Sequence, residues 1–334
     1  MILSEGEIRV ELQKEPLTFR GPAKRSKVFY NPAMENNRTL CVLFCDVLRP
    51  RDFLDGFAAT GVRGMRVMRE ASVRATFNDS EREACRSINK NLELNGLDAD
   101  VFNEDFCSLD VSSDFCDVDP FGTPEPYLGK GLELSQRYLA VTATDTAVLF
   151  GSNVKKCYER YGAKVRKVSW SKELGARVLC AVLAKKAEER GKGIRPMFVY
   201  AEDHYLRGYF ELCDSAPRIG SVDGIGPIWT GELNDRAILV KVLETSGRRE
   251  YRGKKRIEKL LATAIDEIDS VGCYDLDDVS SKLRRGEPKA QELVESLRSR
   301  GFKASRTVFS PKGIKTDASQ AELESCFSTS AHNC

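Results

Sequence analysis

The sequence contains no run of apolar residues long enough to cross a membrane. A membrane-spanning helix needs about 20 consecutive apolar residues, and no stretch of this 334-residue chain approaches that length, since 31% of its residues are charged. The opening residues, MILSEGEIRVELQKEPL, also lack the apolar run of a secretory signal. We therefore expect a cytoplasmic protein that has no membrane partner and no obligate protein partner.

Histidine is scarce, and the cysteines lack the spacing of a metal site. The chain has two histidines and no Cys-x-x-Cys pair, so a structural zinc site would have to be assembled from dispersed ligands. Its 11 cysteines are scattered through ordinary core patterns, which is typical of reduced thiols in a long chain without export signals. We expect neither a metal nor a disulfide framework.

The overall charge is nearly balanced and does not by itself predict a polyanionic partner. With 52 basic and 50 acidic residues the net charge is +2. Local clusters must therefore support any contact with nucleic acid. Basic candidates for phosphate contact lie in the last third of the chain: Arg248, Arg249, Arg252, Lys254, Lys255, Lys312 and Lys315.

Short apolar runs alternate with longer amphipathic stretches between Leu40 and Val199. This pattern is typical of strand-helix-strand units around a parallel sheet and predicts an α/β fold. Strands are predicted near Asp52–Asp55, Ala75–Asp79, Asp100–Asn103, Phe115–Asp119, Tyr138–Thr144 and Arg195–Tyr200, with helices such as Gly61–Glu70, Glu81–Asn95 and Lys172–Glu189 between them. The preceding segment, VFYNPAMENNRTL, is too rich in polar and turn residues for a plain strand or core helix, and we interpret it as a cover over the active site.

The character of the chain changes at about Asn234, where charged amphipathic helices begin. Helices are predicted at Arg252–Asp269, Leu276–Arg285 and Pro288–Gly301, followed by a strand pair at Lys303–Phe309 and Gly313–Lys315. Three short helices and a basic hairpin predict a smaller α+β, winged-helix-like domain. The chain is long enough for two domains, which we assign to residues 1–233 and 234–334, with a frayed tail from Ser319 onward.

A glycine-rich turn follows the first predicted strand, in the sequence DFLDGFAATGVRG. Such a turn brings backbone close to a ligand at the carboxyl edge of a sheet. Its glycines, among them Gly56 and Gly61, are spaced G-x4-G-x2-G, whereas a dinucleotide fingerprint requires G-x-G-x-x-G. The acid before the first glycine, Asp55, favours S-adenosylmethionine because a carboxylate can hold the ammonium group of that molecule.

Acidic residues also end the next two predicted strands. Asp79 can accept both ribose hydroxyls of a nucleoside, while Asp105 can bond an adenine amino group and Phe106 can pack against the ring. The alternative is that each acid merely caps the helix that follows it. Acids at three successive strand ends favour a ligand.

The fourth predicted strand runs into Asp119-Pro120-Phe121, which resembles the [DN]-P-P-[FY] signature of amino-directed methyltransferases. The lone pair of an exocyclic amino group is delocalised into the ring, so the nitrogen is a poor nucleophile. A carboxylate such as Asp119 that accepts an N–H bond, helped by a backbone carbonyl, favours pyramidalisation and can take the proton. Phe121 and Phe29 are candidates for stacking on the base, although core packing is the alternative for both.

Two arginines, Arg38 in the covering segment and Arg63 in the first helical turn, are each able to pair with the carboxylate of the cofactor. The alternative is that both are merely solvated. We assign them to the cofactor site.

The whole set of motifs resembles the tRNA guanine-N2-dimethyltransferase family, which makes N2,N2-dimethylguanosine at the hinge between the D-arm and the anticodon arm. The resemblance covers about residues 21–318 and rests, in order, on VFYNPAMENNR, LDGFAATGVRG, FNDSE, NEDF, DVDPFGTP, VTATDTAVLFG, GPIWTGEL and FSPKGIKT. It implies a class I, Rossmann-like methyltransferase domain and a C-terminal tRNA-binding domain.

The resemblance also implies a role for each candidate residue. Asp119 matches the catalytic aspartate, with Pro120 beside it, and Phe29 and Phe121 match the aromatics around the target base. The positions that match the cofactor site are Arg38, Arg63, Asp79, Asp105 and Phe106. Some members carry a four-cysteine zinc insertion before the GPxW segment, but this chain passes there by the short Cys213–Gly226 stretch, like a compact archaeal form.

The sequence is compatible with three functions. The first is methylation of a tRNA guanosine, and the second is methylation of another RNA or DNA amino group, because the Asp-Pro-aromatic turn does not distinguish adenine from guanine. The third is a nucleic-acid-binding protein without catalysis, against which the intact Asp55, Asp79 and Asp119 argue.

Overall fold

The computed structural model describes residues 1–12 and 28–327. The chain opens with an antiparallel hairpin of β1 (Ile2–Glu5) and β2 (Ile8–Glu11). Helix α1 (Glu35–Leu48) then runs through the second half of the segment predicted as a cover. Because residues 37–45 are buried, the prediction that this segment is no core helix is wrong beyond Glu35. The physical reason is that its polar side chains find buried partners.

The central sheet has seven strands and contains all six strands predicted from the sequence. The strands are β3 (Asp52–Asp55), β4 (Arg74–Asn78), β5 (Val101–Phe102), β6 (Ser113–Val118), β7 (Ser135–Ala143), β8 (Gly193–Glu202) and β9 (Tyr205–Cys213). Their order is β5-β4-β3-β6-β7-β9-β8, with β9 antiparallel to both neighbours. The order reverses between β3 and β6, which is the switch point where ligands bind in Rossmann-like sheets. The predicted α/β class is confirmed, and β9 is the strand that the prediction missed.

Helices pack on both faces of this sheet. They are α2 (Val62–Ala71), α3 (Arg82–Asn95), α4 (Glu125–Leu134), α5 (Thr146–Leu149), α6 (Val154–Tyr161) and α7 (Ser171–Glu188). Successive residues of β3 enter different cores, because side chains alternate along a strand. Leu54 packs with the core of α4 and α7, whereas Phe53 packs with that of α1 and α2.

Two further pairs of elements extend these cores. The hairpin of β10 (Ile219–Val222) and β11 (Ile225–Trp229) contributes Ile228 and Trp229 to the core of α7. Helices α8 (Arg236–Gly247) and α9 (Lys254–Asp266) contribute Leu239 and Leu261 to the core of α1.

The C-terminal elements form a small domain with its own core. They are β12 (Tyr274–Asp275), α10 (Leu276–Leu283), α11 (Ala290–Ser299), β13 (Ala304–Thr307) and β14 (Ser310–Thr316). The three strands pair in the order β12-β14-β13. Together with α9 they give the succession helix, strand, two helices and two strands, as expected for the predicted winged-helix-like module.

A final helix, α12 (Gln320–Cys326), replaces part of the predicted frayed tail. Ser319 accepts a bond from the Glu322 amide while Glu322 reaches back to Ser319, which is a capping box. Leu323 and Cys326 are buried in the core of the small domain. The tail prediction is therefore wrong for these residues, and residues 328–334 lie outside the described part of the chain.

The boundary after Leu233 stays a prediction. The buried residues of α8 and α9 belong to the core beneath the large sheet, and the separate C-terminal core begins at Leu276. Across residues 1–12 and 28–327, no helix has the length and apolar character that a membrane crossing requires.

Candidate functional site

The carboxyl ends of the parallel strands meet along one edge of the sheet. Asp55, which ends β3, lies in register with Phe77 of β4 and Asp117 of β6, and Asn78 lies opposite Phe102. The loops that follow β3, β4, β5 and β6 therefore leave the sheet side by side. This convergence is the arrangement that the sequence predicts.

The Asn78 side chain fastens two of these loops together. Its amide nitrogen donates to the carbonyls of Gly56 and Glu104, each at 3.2 Å, and its oxygen accepts the Glu104 N–H at 3.2 Å. The Asn78 carbonyl accepts the Ala58 N–H at 2.9 Å. A single buried amide thus sets the spacing between the glycine turn and the loop that carries Asp105.

The glycine turn lies close to the backbone of the neighbouring strand. The Gly56 N–H donates to the Asp117 carbonyl at 3.1 Å. A Cβ atom at Gly56 would lie 2.5 Å from the Phe106 ring and 2.9 Å from that carbonyl, so no side chain fits there. Gly61 has a φ of +76°, which favours glycine and starts α2. The close contact at Gly56 and the positive φ at Gly61 therefore each favour glycine.

Asp55 is buried beneath this turn. Its carboxylate accepts the Gly64 N–H at 3.0 Å at the start of α2. Burial raises the pKa of Asp55, the Arg63 charge opposes the shift and the Asp117 charge adds to it, and the resulting pKa is about 7. A second cation, such as the ammonium group of the predicted contact, would strongly favour the ionised form of this carboxylate.

Asp79 joins the glycine turn to the start of α3. One of its oxygens accepts the Ala59 N–H and the other accepts the Glu81 N–H, both at 2.9 Å. Burial raises the pKa of Asp79. The bond to Glu81 closes a turn just before α3, whose N-cap, Glu81, has no side-chain cap bond. The Asp79 oxygens retain lone pairs for the predicted ribose hydroxyls.

Asp105 and Phe106 lie in the loop after β5. Asp105 accepts the Cys107 N–H at 2.8 Å and so caps a short 3-10 helix, which is the alternative interpretation of this residue. Phe106 is buried, and its ring centroid lies 4.8 Å from that of Phe57. The adenine contacts of both residues stay a prediction.

The Asp119-Pro120-Phe121 turn leaves β6 beside this loop and is held at two points. The Arg63 guanidinium donates to the Asp119 carboxylate. The Gly122 N–H donates to the Thr144 hydroxyl at 2.7 Å, and the Thr144 N–H donates back to the Gly122 carbonyl at 2.9 Å. Pro120 is buried between these points. The turn is therefore fixed to helix α2 on one side and to the end of β7 on the other.

The two aromatic rings assigned to the target base are in contact. The Phe29 and Phe121 centroids are 4.5 Å apart with the ring planes at 82°, an edge-to-face pair. Phe121 is 70% exposed, which is unusual for a phenylalanine and argues against the core-packing alternative for this residue. Phe121 belongs to the turn that carries Asp119, and Phe29 reaches it from the segment that precedes α1.

A buried ion-pair network lies directly below the turn. Arg63 donates to the Asn37 amide oxygen at 2.8 Å and lies 3.4 Å from Asp117. Asp117 also receives two bonds from Arg207, at 2.9 and 2.5 Å. Burial alone would raise the pKa of Asp117, but the guanidinium groups of Arg207 and Arg63 lower it below its usual value. The network keeps Arg63, and through it Asp119, at a defined place.

Three residues of this network, Asn37, Asp117 and Arg207, were not predicted from the sequence. A signal was present for two of them, because Asp117 and Arg207 each interrupt an apolar strand run, in FCDV and YLRGYF. A charged residue on a buried strand requires a partner, but the sequence does not say which residue supplies it.

Arg38 points toward the N-terminal hairpin. Its guanidinium donates to both oxygens of Glu5, at 2.7 and 2.5 Å, and to the Asn31 carbonyl at 3.1 Å. Glu5 also accepts the Tyr30 hydroxyl at 2.7 Å. Although burial opposes it, the Arg38 and Arg66 charges lower the pKa of Glu5 to about 2. The contact of Arg38 with the cofactor carboxylate stays a prediction.

Most of the basic residues assigned to tRNA are paired with acids. Arg249 bonds Asp46, Arg252 lies 3.6 Å from Glu35, Lys254 bonds Glu250, and Lys312 bonds Asp277 and Glu287. Arg248 and Lys255 are exposed. The cluster is therefore less positive than its sequence indicates.

The assignment of Lys315 to tRNA is wrong. Lys315 is 3% exposed, and its ammonium lies 3.1 Å from both Glu173 and Glu267 while donating to the Ser270 carbonyl at 2.8 Å. A buried lysine with three partners has no donor to offer a phosphate at the surface. It joins β14 to α7 instead.

A metal centre would need several ligating side chains close together. Within residues 1–12 and 28–327, no group of three or more histidine, cysteine, aspartate and glutamate side chains could hold an ion.

Comparison with known proteins shows similarity along nearly the whole chain. The family model described as N2,N2-dimethylguanosine tRNA methyltransferase matches residues 6–224 and 218–328. The tRNA (guanine(26)-N(2))-dimethyltransferase of Methanoregula boonei is 33% identical, with 94% of each chain covered. The protein of the same name from Thermoplasma acidophilum is 33% identical over 99% of this chain and 98% of its own.

A solved structure shows the same fold. Trm1 from Pyrococcus horikoshii, determined in complex with S-adenosyl-L-methionine, has a TM-score of 0.88 and 28% sequence identity. The superposition covers 98% of this chain and 99% of that one.

Proposed function

The chain belongs to the N2,N2-dimethylguanosine tRNA methyltransferase family, and we propose the following activity for it. It is an S-adenosylmethionine-dependent enzyme that methylates the exocyclic N2 amino group of a guanosine at the hinge between the D-arm and the anticodon arm of tRNA. N2-methylguanosine forms first and N2,N2-dimethylguanosine second. The observation that carries this proposal is the bond from Arg63 to Asp119, which ties the helix that follows the glycine turn to the Asp-Pro-Phe turn.

The residues along the sheet edge fit S-adenosylmethionine. At Gly56 the absence of a Cβ leaves the backbone of the turn open to a ligand. The buried carboxylate of Asp55 favours a cation, and the carboxylate of Asp79 has lone pairs for hydroxyl groups. Arg38, Gly61, Arg63, Asp105 and Phe106 complete the proposed set. When bound, this cofactor supplies an electrophilic methyl group on its sulfonium.

The residues of the Asp-Pro-Phe turn hold the acceptor. Phe29 and Phe121 stack on the guanine after it has left its pairing partner. The Asp119 carboxylate and the Pro120 carbonyl accept the two N–H bonds of the amino group, which turns the nitrogen lone pair out of conjugation. Asp119 then takes the proton that the nitrogen loses. Holding acceptor and donor in line supplies much of the acceleration.

The C-terminal part of the chain, residues 234–334, is proposed to bind the tRNA. Its exposed Arg248 and Lys255 are the cations best placed for phosphates, with Arg249, Arg252, Lys254 and Lys312 available where their acidic partners yield. Phosphate contacts predict a steep dependence of tRNA affinity on salt.

Nucleoside analysis tests the proposed function. Unmodified tRNA is incubated with the protein and methyl-labelled S-adenosylmethionine, digested, and analysed by mass spectrometry. We expect labelled N2-methylguanosine followed by N2,N2-dimethylguanosine, and neither product from a tRNA in which adenosine replaces the hinge guanosine. Labelled methyladenosine would replace the proposal with another amino acceptor, and the absence of any labelled nucleoside would refute it.

The pKa of Asp55 predicts how cofactor affinity depends on pH. Only the ionised carboxylate attracts an ammonium group, and in the free protein Asp55 takes up a proton as the pH falls through about 7. The affinity for S-adenosylmethionine should therefore be constant above that value and fall by up to about tenfold per unit between pH 7 and pH 5. Isothermal titration calorimetry across this range measures the effect.

The matching variant is Asp55→Asn. It should bind weakly at every pH and lose the decline below pH 7, whereas Asp110→Asn, an exposed acid in the loop before β6, should keep the parental profile. A parental decline that survives in Asp55→Asn would assign the titration to another group.

A further inference from the structure

We propose that a basic surface formed by α6 and the segment after it holds the tRNA backbone beside the Asp-Pro-Phe turn; this inference rests on the proposed function. The surface, called here the α6 face, consists of Lys155, Lys156, Tyr158, Lys164, Arg166 and Lys167. All six residues are exposed. The predicted basic cluster of the last third of the chain does not include them.

The charge of the α6 face is not compensated within the described residues. Lys156, Lys164, Arg166 and Lys167 have no carboxylate within 4.0 Å in the part of the chain that the structure covers, and Lys155 has only the loose contact of 3.8 Å with Glu159. By contrast, Arg249, Arg252 and Lys254 each have an acidic partner. Free cations attract a polyanion, whereas paired cations must first give up an acid.

The two parts of the face lie against each other. In α6, Cys157 and Tyr161 are buried, which leaves the opposite side of the helix to solvent. In the segment that follows, Ala163 and Val165 are buried while Lys164 and Arg166 alternate outward. A Cβ at Gly151, in the turn before α6, would lie 2.9 Å from the Arg166 carbonyl. The cations therefore form one surface.

This surface adjoins the turn that holds the target base. The Tyr161 hydroxyl, at the end of α6, bonds the Thr123 hydroxyl at 2.8 Å and Asp145 at 2.9 Å. Thr123 is two residues beyond Phe121. Arg160, in the last turn of α6, donates to the same Asp145 at 3.0 Å, and Lys156 lies one helical turn before it, about 6 Å along the axis. The helix that carries Lys155 and Lys156 is therefore attached to the turn that carries Phe121.

An exposed aromatic side chain lies among the cations. Tyr158 is 56% exposed, and Val154 near it is 45% exposed. Cations that follow a backbone and an aromatic ring that stacks on a base are the combination found in surfaces that bind unpaired nucleic acid. A flipped guanosine leaves its neighbours unpaired, so such a surface suits this substrate better than it suits an acidic peptide.

The first test removes the four cations that have no acidic partner. The variant Lys156→Ala, Lys164→Ala, Arg166→Ala, Lys167→Ala is compared with the parent and with a control that loses four other exposed cations, Arg69→Ala, Arg74→Ala, Lys90→Ala, Lys185→Ala. Arg74 begins β4, at the sheet edge opposite the site. Both variants change the net charge equally. The dissociation constant of the tRNA complex is measured by filter binding from 50 to about 200 mM salt.

The face variant should bind tRNA at least tenfold more weakly, and its salt slope should be smaller by about 0.7 to 0.9 for each phosphate that is no longer neutralised. Its KM for tRNA should rise while kcat at saturating tRNA and the affinity for S-adenosylmethionine stay within twofold of the parent. The control should stay within threefold of the parent in tRNA affinity. Equal losses of affinity in the two variants, or an unchanged affinity in the face variant, would overturn the inference.

A second variant separates stacking from charge. Tyr158→Ala should weaken tRNA binding by about tenfold without changing the salt slope, because stacking releases no counterions. An unchanged affinity would remove Tyr158 from the surface. The proposed function fails separately, namely when the parent transfers no methyl group to guanosine, whichever way the binding experiments turn out.

Discussion

Replacing Asp119 with asparagine should lower kcat for methyl transfer by about 10²- to 10⁴-fold, the range that a positioned acid-base group contributes. The asparagine oxygen can still accept the bond from Arg63, so the turn keeps its place. It cannot take a proton from the amino group of guanine. Labelled methyl incorporation into tRNA under single-turnover conditions measures the change.

The control for this variant is Asp110→Asn, in which an exposed acid of the loop before β6 loses its charge. It should retain the parental rate. The Asp119→Asn protein should also bind S-adenosylmethionine and tRNA with affinities within threefold of the parent, because the asparagine keeps the bond from Arg63 that holds the turn. Equal methyl incorporation by Asp119→Asn and the parent would remove the catalytic assignment.

The second large effect concerns stability. Arg207→Met should lower the free energy of unfolding by about 3–5 kcal/mol, because it leaves Asp117 buried without its main partner. Arg207 is 0% exposed and donates two bonds to Asp117 and one to the Thr142 hydroxyl at 2.9 Å. Methionine fills much of the same volume, so the loss is electrostatic in origin. Urea unfolding followed by circular dichroism gives the value.

Arg195→Met serves as the matched control on the neighbouring strand. Arg195 is about half exposed and pairs with Glu211 and Asp235 at the surface, where such pairs contribute about 1 kcal/mol or less. The double variant Asp117→Leu, Arg207→Met should recover part of the loss, since no uncompensated charge remains. A single-variant loss no greater than that of Arg195→Met would mean that the buried pair does not stabilise the fold.

The two predictions are connected through Arg63. Asp117 lies between Arg207 and Arg63, and Arg63 in turn holds Asp119. If Arg207 is removed, Asp117 draws more strongly on Arg63, so kcat should also fall in Arg207→Met. The Asp117–Arg207 ion pair is therefore expected both to stabilise the sheet and to help position the Asp-Pro-Phe turn.

Much of the sheet and the site follows from local sequence patterns. Alternating apolar runs predict six of the seven strands, since each strand and helix carries its own periodicity. The glycine turn and the acids at the strand ends could be located from the sequence, because each of these motifs consists of residues that are close together in the chain. Parallel strands must then bring their carboxyl ends to one edge, as Asp55, Asp79 and Asp119 illustrate.

Pairing between distant residues could not be predicted in this way. The partner of Asp117 is 90 residues further along the chain, and the partner of Arg38 lies in the opening hairpin. Lysine is usually a surface residue, but the docking of β14 against α7 places Lys315 between two glutamates. A basic residue is exposed or buried according to which element packs over it, and that packing depends on the whole chain. Local periodicity carries no information about it, because side chains distant in sequence meet only when the complete fold has formed.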